Sequence, residues 1–397
     1  MANTLLTSDV ITNEAQRILH QKLNFIGSIN RQYDDQFAKS GAKIGNNLRV
    51  RMPNQFQIRK GRTYVGQATV NKYVDLPTKE QYGVDMEFFS DELALSLDKF
   101  SENYIAPAMS VLAANLEADF LSAVTKDVYN IVDSDGQGID MADIGLAEQI
   151  LTDNLSPEDM RTVLLSTKHN RQLISANSTL FNAQTSIAEQ YKTGMMGHAA
   201  GFDFRRSTFV NPHTTGTAAK TTGYLVNGAT QTGSTLTVDG GTTTLLIGDV
   251  ITLTGVYRVH PETKVSTGEL QQFVVTANSG ASATSLKISP EIVSAGAYKN
   301  VTSSPADNAP IVKVGAGASE LLTGSIAYHK DAFTFATADL PMPGGMDMTA
   351  RKVFEGISMR FVRGFDIKAD EFVSRFDILP AWASLRPQLA CRIHADG

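Results

Sequence analysis

The chain has 397 residues, 42% of them hydrophobic and 19% charged, with a formal net charge of −6. Domains commonly run to about 100–200 residues, so this length implies more than one core, and the composition is that of a folding chain. The acidic balance, without a basic tract, argues against a protein that grips nucleic acid by neutralising phosphates.

Residues 1–13 carry no cationic segment followed by an apolar one, so no secretory signal is expected. No stretch approaches the roughly 20 apolar residues that a spanning helix needs, so no membrane is expected as a partner. Val10, Ile11, Ile18, Leu19, Leu23 and Phe25 recur at helical spacing, with Thr12 or Asn13 available as cap, Glu14 in the first turn and an end near Gly27. From Ile44 the period falls towards two, through Leu48, Val50, Met52, Phe56 and Ile58. The cluster Arg59, Lys60, Gly61, Arg62 follows, and Tyr64, Val65 and Val70 return, which predicts a long hairpin with a basic tip.

After Val84, Met86 and Phe88, Ser90 with Asp91 and Glu92 marks a helix start: a capping hydroxyl followed by acids where the macrodipole favours them. Leu93, Leu97, Phe100, Tyr104, Val111, Ala114, Ala118, Leu121, Val124 and Val128 then keep a repeat near 3.5, which reads as a core-facing stripe. Pro107 interrupts it, and because proline removes a helix hydrogen bond it predicts a kink or a fresh helix start. Between about Asp140 and Thr208 helix and strand alternate. Ile144 to Leu151 reads as a helix, Thr162 to Leu165 as a buried strand and His169 to Ser175 as a helix, before a loop punctuated by Gly194, Gly197 and Gly201 that leads into Phe202, Phe204 and Phe209.

At about Thr214 the composition turns to Thr, Gly and Ser, and helix signals vanish until about Glu320. Thr235–Val238, Asp249–Thr254, Gln272–Thr276, Ser285–Ile288 and Ile311–Val314 are short strands between Gly-rich turns, a small sandwich or barrel inserted into an α/β context that resumes with Leu321, Ile326, Phe333 and Phe335.

Local motifs attach this order of parts to a family. The run ending Gly201-Phe202-Asp203, the segment Ala327-Tyr328-His329-Lys330-Asp331-Ala332-Phe333, Gly364-Phe365-Asp366-Ile367, and the stretch from Arg375-Phe376-Asp377-Ile378-Leu379 through Leu385-Arg386-Pro387 to Arg392-Ile393 resemble recurrent pieces of tailed-bacteriophage major coat proteins. The resemblance covers essentially the whole chain, and the inserted β-region is similar to that of the Salmonella-podophage branch. It implies an α+β chain with the Hong Kong 97-type fold: an N-terminal arm (1–43), an extended E-loop (44–89) and a peripheral domain with the spine helix (90–139). An axial domain (140–220 and 319–362), an inserted β-domain (221–318) and a closing peripheral segment (363–397) complete it. The implied function is self-assembly into pentamers and hexamers of an icosahedral shell around double-stranded DNA, which is contacted non-specifically. Made in the host bacterial cytoplasm and resident in the virion, such a chain takes a scaffolding protein and a portal protein as partners and leaves a decoration protein open.

A two-stranded ribbon buries too little to be stable alone, so the hairpin is expected to lie on something, a neighbouring subunit for instance. Arg59, Lys60 and Arg62 are the candidate inter-subunit contacts, meeting carboxylates across that boundary; a solvated basic turn is the plain alternative. A Lys to Asn cross-link between subunits is not supported by the sequence.

Asp133, Asp135, Gln137 and Gly138 imitate the opening of a calcium loop, but Ile144 stands where a bidentate Glu belongs, so a polar turn is preferred. His20, His169, His198, His213, His260, His329 and His394 lack zinc-site spacing. Cys391, the only cysteine, allows neither an internal disulfide nor a multi-thiolate metal site, suits a reducing cytoplasm and reads as a small buried hydrophobe. Gly315-Ala316-Gly317 lacks the third glycine of a dinucleotide turn and reads as a linker. Asp91 and Glu92 point to different helix faces, so they are explained as N-terminal charges. No catalytic residue, cofactor or metal is assigned, and an enzyme is not expected; a β-rich surface adhesin or carbohydrate-active enzyme is the rival reading, carried only by the Thr/Gly-rich insert.

Overall fold

The computed structural model describes residues 8–31, 47–64, 66–67, 71–89, 101–134, 136–176, 197–366 and 371–395. The expected helix start at Ser90, Asp91 and Glu92, the stripe residues Leu93, Leu97 and Phe100, the ribbon residues Val65 and Val70, arm residues 1–7 and 32–43, Ile44, and Asp135, Gly194 and Ile367 lie outside them. The chain is mixed α+β, as its pattern indicates, and its described residues form two compact units. The first is drawn from Met1–Arg51, Tyr73–Phe120 and Phe333–Leu385, the second from Met52–Lys72, Leu121–Ala332 and Arg386–Gly397. Phe333–Ala338 pairs with Glu371–Ser384, and Ala390–His394 pairs with Gly324–His329.

In the first unit, helix α1 (Ser8–Lys22) buries Ile11, Ala15, Ile18 and Leu19 along one face. The helix already runs at Ser8, so the cap expected at Thr12 or Asn13 is corrected: Thr12 is inside it, fully buried, its hydroxyl donating to the Ser8 carbonyl at 2.7 Å. The end moves back from Gly27 to Lys22, and a single 3-10 turn follows at Ile26–Ser28. The body is an antiparallel sheet of five strands. Glu371–Ser384 lies at its centre, pairing with Ile357–Asp366 and Tyr82–Phe89 along its first half and with Phe333–Ala338 along its second. Met348–Phe354 completes the sheet against Ile357–Asp366. Asp377, fully buried, receives Arg360 Nη2 at 2.6 Å and Arg375 Nη2 at 2.7 Å. These bonds hold the Asp377 carboxyl below its ordinary value although burial opposes them.

Helix α2 (Ala106–Asp127) follows directly on a π turn at Ser101–Ile105, and Pro107 is its second residue, so the helix changes type where the proline removes a backbone donor. The stripe needs correction. Leu121, Val124 and Val128 are buried as expected, but Val111 is exposed and Ala114 and Ala118 are half-buried, while Ile105, Met109, Leu112, Leu116 and Phe120 are buried in their place. The bulkier residues sit one or two positions away from the small ones that fitted a 3.5 repeat, and packing follows volume. Phe120 stacks against Phe25, Phe335 and Trp382, with centroids 5.1, 5.7 and 5.3 Å away. Glu117 shares the buried face. Its Oε1 accepts the backbone N–H groups of Phe25 (2.7 Å) and Ile26 (3.2 Å), and burial raises its carboxyl to about 7.

The second unit holds a mixed sheet in the order Ile131–Asp133, Ala390–His394, Gly324–His329, Arg161–Ser166, Phe202–Ser207, His198–Ala199. Helix α3 (Met141–Asp153) starts on a capping box, the Asp140 carboxylate accepting from Ala142 and Asp143 while Asp143 returns to the Asp140 N–H. Helix α4 (Thr167–Ala176) buries Leu173. Ile144, Ala147, Leu151, Val163, Leu165, Phe202, Cys391 and Ile393 share one core, so Cys391 packs as a small hydrophobe, its thiol pushed up to about 12 by burial.

Thr221–Val226, Gly233–Asp239, Val250–Val259, Ser266–Val275, Ser285–Ile292 and Pro310–Lys313 close into an antiparallel barrel. Of sandwich and barrel, the insert adopts the barrel, and Thr221–Val226 is a strand that the sequence pattern passed over. Alternation fills it: Leu236 with Val238, Ile251 with Leu253, Phe273 with Val275 and Leu286 with Ile288 all point inward. Gly241 is required there, because a Cβ would lie 2.3 Å from the Tyr224 ring. Beneath the barrel, Val250, Val274 and Val314 pack against Tyr129 and Ile131.

Candidate assembly surface

The expected hairpin is paired only at its root. Asn47–Arg51 and Tyr73–Pro77 are antiparallel from Asn47 opposite Pro77 to Arg51 opposite Tyr73, and Arg49 meets Asp75 across the pair at 3.1 Å. Among the described residues from 52 to 72 there is no strand, so the strand readings at Phe56, Ile58 and Tyr64 are corrected. Pro53 lacks a ladder donor.

Other bonds hold this ribbon together. The Met52 N–H donates to the Lys72 carbonyl at 2.9 Å. Further out, the Gln57 N–H donates to Gln67 Oε1 (2.9 Å) and Gln67 Nε2 donates back to the Gln57 carbonyl (2.6 Å), a side chain standing in for a ladder rung. At the tip Arg59 folds inward, its guanidinium donating to the carbonyls of Gly61 and Thr63. Arg59, Lys60 and Arg62 are all exposed; Arg59 also closes the turn. At the base, Lys72 Nζ meets Glu291 Oε1 at 2.5 Å and lies 4.3 Å from the Tyr298 ring centroid, which ties the ribbon to the barrel strand Ser285–Ile292 and the loop after it.

The ribbon displays what a soluble turn would not. Phe56 is 63% exposed, Ile58 85% and Tyr64 86%. Burying one such side chain is worth about 1.5–3 kcal/mol, so the three together hold a gain that is realised only when another surface covers them. Reading them as strand members hid this, because strand residues are assumed to have one covered face.

Asp133 Oδ2 accepts the Gly315 N–H at 3.2 Å, and among the described residues no group of three His, Cys, Asp or Glu is placed to hold a metal ion. No helix among the described residues is long and apolar enough to cross a membrane. The histidines are dispersed: His169 is buried between Ser325 Oγ (2.7 Å) and the Ala395 carbonyl (3.1 Å), and His20 meets the Phe354 carbonyl at 2.9 Å.

The family described as P22 coat protein, gene protein 5, matches residues 37–392. The chain belongs to the P22 coat protein family. As a coat protein it is a subunit of a phage shell. Solved structures similar to this coat protein include one from Mycobacterium phage Che8, 13% identical over 94% of this chain and 90% of that one, with a TM-score of 0.49. The capsid of Ralstonia phage GP4 is 7% identical over 93% and 88%, with a TM-score of 0.47. The CUS-3 coat protein I-domain is 32% identical over 24% of this chain and 96% of that one, with a TM-score of 0.20. No curated protein matches the coat protein.

Proposed function

We propose that this coat protein associates into pentamers and hexamers that close into an icosahedral shell around double-stranded DNA, with the Hong Kong 97-type division of labour. In that division 1–43 is the arm, 44–89 the E-loop, 90–139 and 363–397 the peripheral domain, 140–220 and 319–362 the axial domain, and 221–318 the insertion. A scaffolding protein and a portal would be its assembly partners. The observation that carries the reading is the ribbon between 52 and 72, whose large apolar side chains are exposed on a segment without strand structure. Covering Phe56, Ile58 and Tyr64 on a sister copy would supply the association energy. Lys60 and Arg62 would set the rate and register of docking rather than its strength.

The chain expressed with its neighbouring viral genes should form uniform polyhedral particles by negative-stain microscopy. Lys60→Glu with Arg62→Glu should slow or misdirect that assembly, and raising salt should narrow the gap between variant and parent. A chain that stays solitary at high concentration, with its ribbon protected from proteolysis, would overturn the reading.

A further inference from the structure

The strand Ala390–His394 runs between Ile131–Asp133 and Gly324–His329, and all its residues are buried. Cys391 and Ile393 face the core of the second unit, so alternation sends Arg392 and His394 to the opposite face of the sheet. There they line a cavity of about 500 Å³ together with Lys126 at the end of α2, His213, Asn278 of the barrel and Ser325. Arg392 is 4% exposed and His394 3%. Arg392 Nε and Nη2 and both ring nitrogens of His394 are buried without a hydrogen-bond partner.

Buried polar groups are almost always paired, and a buried guanidinium without a counter-charge is costly. Two carboxylates act on Arg392 through space, Asp249 and Asp127. Asp249 is already committed, its Oδ1 to His213 Nε2 (2.8 Å) and its Oδ2 to the N–H groups of Gly216 (3.0 Å) and Leu246 (2.8 Å). Burial lowers the Arg392 guanidinium to about 10, which still leaves it charged at neutral pH.

The same chain shows what this edge of an arginine is for. Arg360 holds Asp377 Oδ2 through Nε (3.2 Å) and Nη2 (2.6 Å). Arg363 holds Asp347 through the same two atoms at 2.9 and 2.5 Å, and Arg375 holds Asp377 Oδ1 at 3.0 and 2.7 Å. In Arg392 the equivalent fork has no carboxylate, and the residue borders a cavity large enough for a small molecule.

We propose that this cavity is a binding site for a small oxyanion, a phosphate or a carboxylate, whose entry turns the sealed Nε and Nη2 edge of Arg392 towards the cavity to hold it side-on. Lys126 contributes charge at the rim, and His394, its value held well below the ordinary one by burial, offers one donor and one acceptor as a neutral ring. Gly248, at φ +99, lets the barrel loop reach this place: a Cβ there would lie 3.1 Å from both His213 Cε1 and Lys126 Cγ. The ligand would bridge the sheet, the end of α2 and the barrel loop, and so stabilise the seating of the barrel by mass action.

Equilibrium dialysis of the full-length chain against inorganic phosphate, with chloride at matched ionic strength as control, should show one saturable site per chain. A parallel arm with succinate distinguishes phosphate from carboxylate. Arg392→Met should abolish binding, and Lys126→Met, on the exposed rim, should weaken it about tenfold. If Arg392→Met does not fold, Lys126→Met and ligand-dependent hydrogen-exchange protection of 210–214 and 246–248 carry the test. Absence of saturable binding by both anions, or binding unchanged in Lys126→Met with no protection of those segments, would overturn the site and leave a cavity that holds water.

Discussion

The barrel and the ribbon start from the same ingredient, antiparallel chain folded back at a turn, and differ in what covers the side chains. In the barrel every strand has two neighbours, and the inward residues, Phe273 and Tyr224 among them, are sealed from water. The ribbon has one pairing partner at its root and none of the described residues over Phe56, Ile58 or Tyr64. Closure thus lets a short-stranded, Thr/Gly-rich sequence form its own core, because no edge is left and alternation has an inside. The ribbon has no such inside, and its Phe56, Ile58 and Tyr64 side chains are left exposed. Both carry hydrophobic residues; only topology decides whether these stabilise the chain or an assembly of chains.

The contrast breaks most directly at the barrel's centre. Phe273→Ala should cost about 3–5 kcal/mol in urea unfolding of the full chain, the usual range for a fully buried phenylalanine whose site cannot collapse. A loss below about 1 kcal/mol would mean that the barrel adjusts around a void, and the closed-core account would fail.

Glu117 sharpens the comparison from inside the first unit, where a closed core has taken in a charge. Its Oε2 has no partner and its carboxyl stands at about 7 rather than the ordinary 4.5. The folded value is raised, so its contribution is complete below 4.5, where both folded and unfolded chains hold the proton. As pH climbs the unfolded chain releases the proton first, and stability falls until about 7, by about 3 kcal/mol in all. Glu117→Gln keeps an oxygen for the Phe25 and Ile26 N–H groups, so it should remove most of that slope and be the more stable form at pH 8. Parallel stability curves for the two proteins from pH 5 to 8 would refute the raised value.

How far the sequence discloses such features depends on whether local pattern or coverage decides them. The barrel strands were legible at Thr235–Val238, Asp249–Thr254 and Ser285–Ile288 because alternation between glycine turns is a local signal, and the whole length of Thr162–Leu165 is buried as its apolar run suggests. The basic tip was legible as charge, but not the inward turn of Arg59, which depends on a loop conformation. The stripe through α2 holds at Leu121, Val124 and Val128 and slips at Val111, Ala114 and Ala118, which satisfy a 3.5 spacing as well as Leu112, Leu116 and Phe120 do; only partner volumes separate the two. Arg392 and His394 were missed as a pair. Their alternation with Cys391 and Ile393 places them on one face of a strand, yet nothing local tells that this face is roofed rather than wet.

The smallest expected effect is the most discriminating for the ribbon. Replacing Phe56, Ile58 and Tyr64 with serine should change the unfolding free energy of the unassembled chain in urea by no more than about 0.5 kcal/mol for each substitution, since exposed side chains contribute little to the folded state they decorate. The same triple variant should assemble poorly, because each lost contact belongs to the joined state and not to the separate one. Should the variant instead unfold markedly more easily than its parent, those side chains would be packed on their own subunit, and the distinction between a self-covering barrel and a partner-seeking ribbon would collapse.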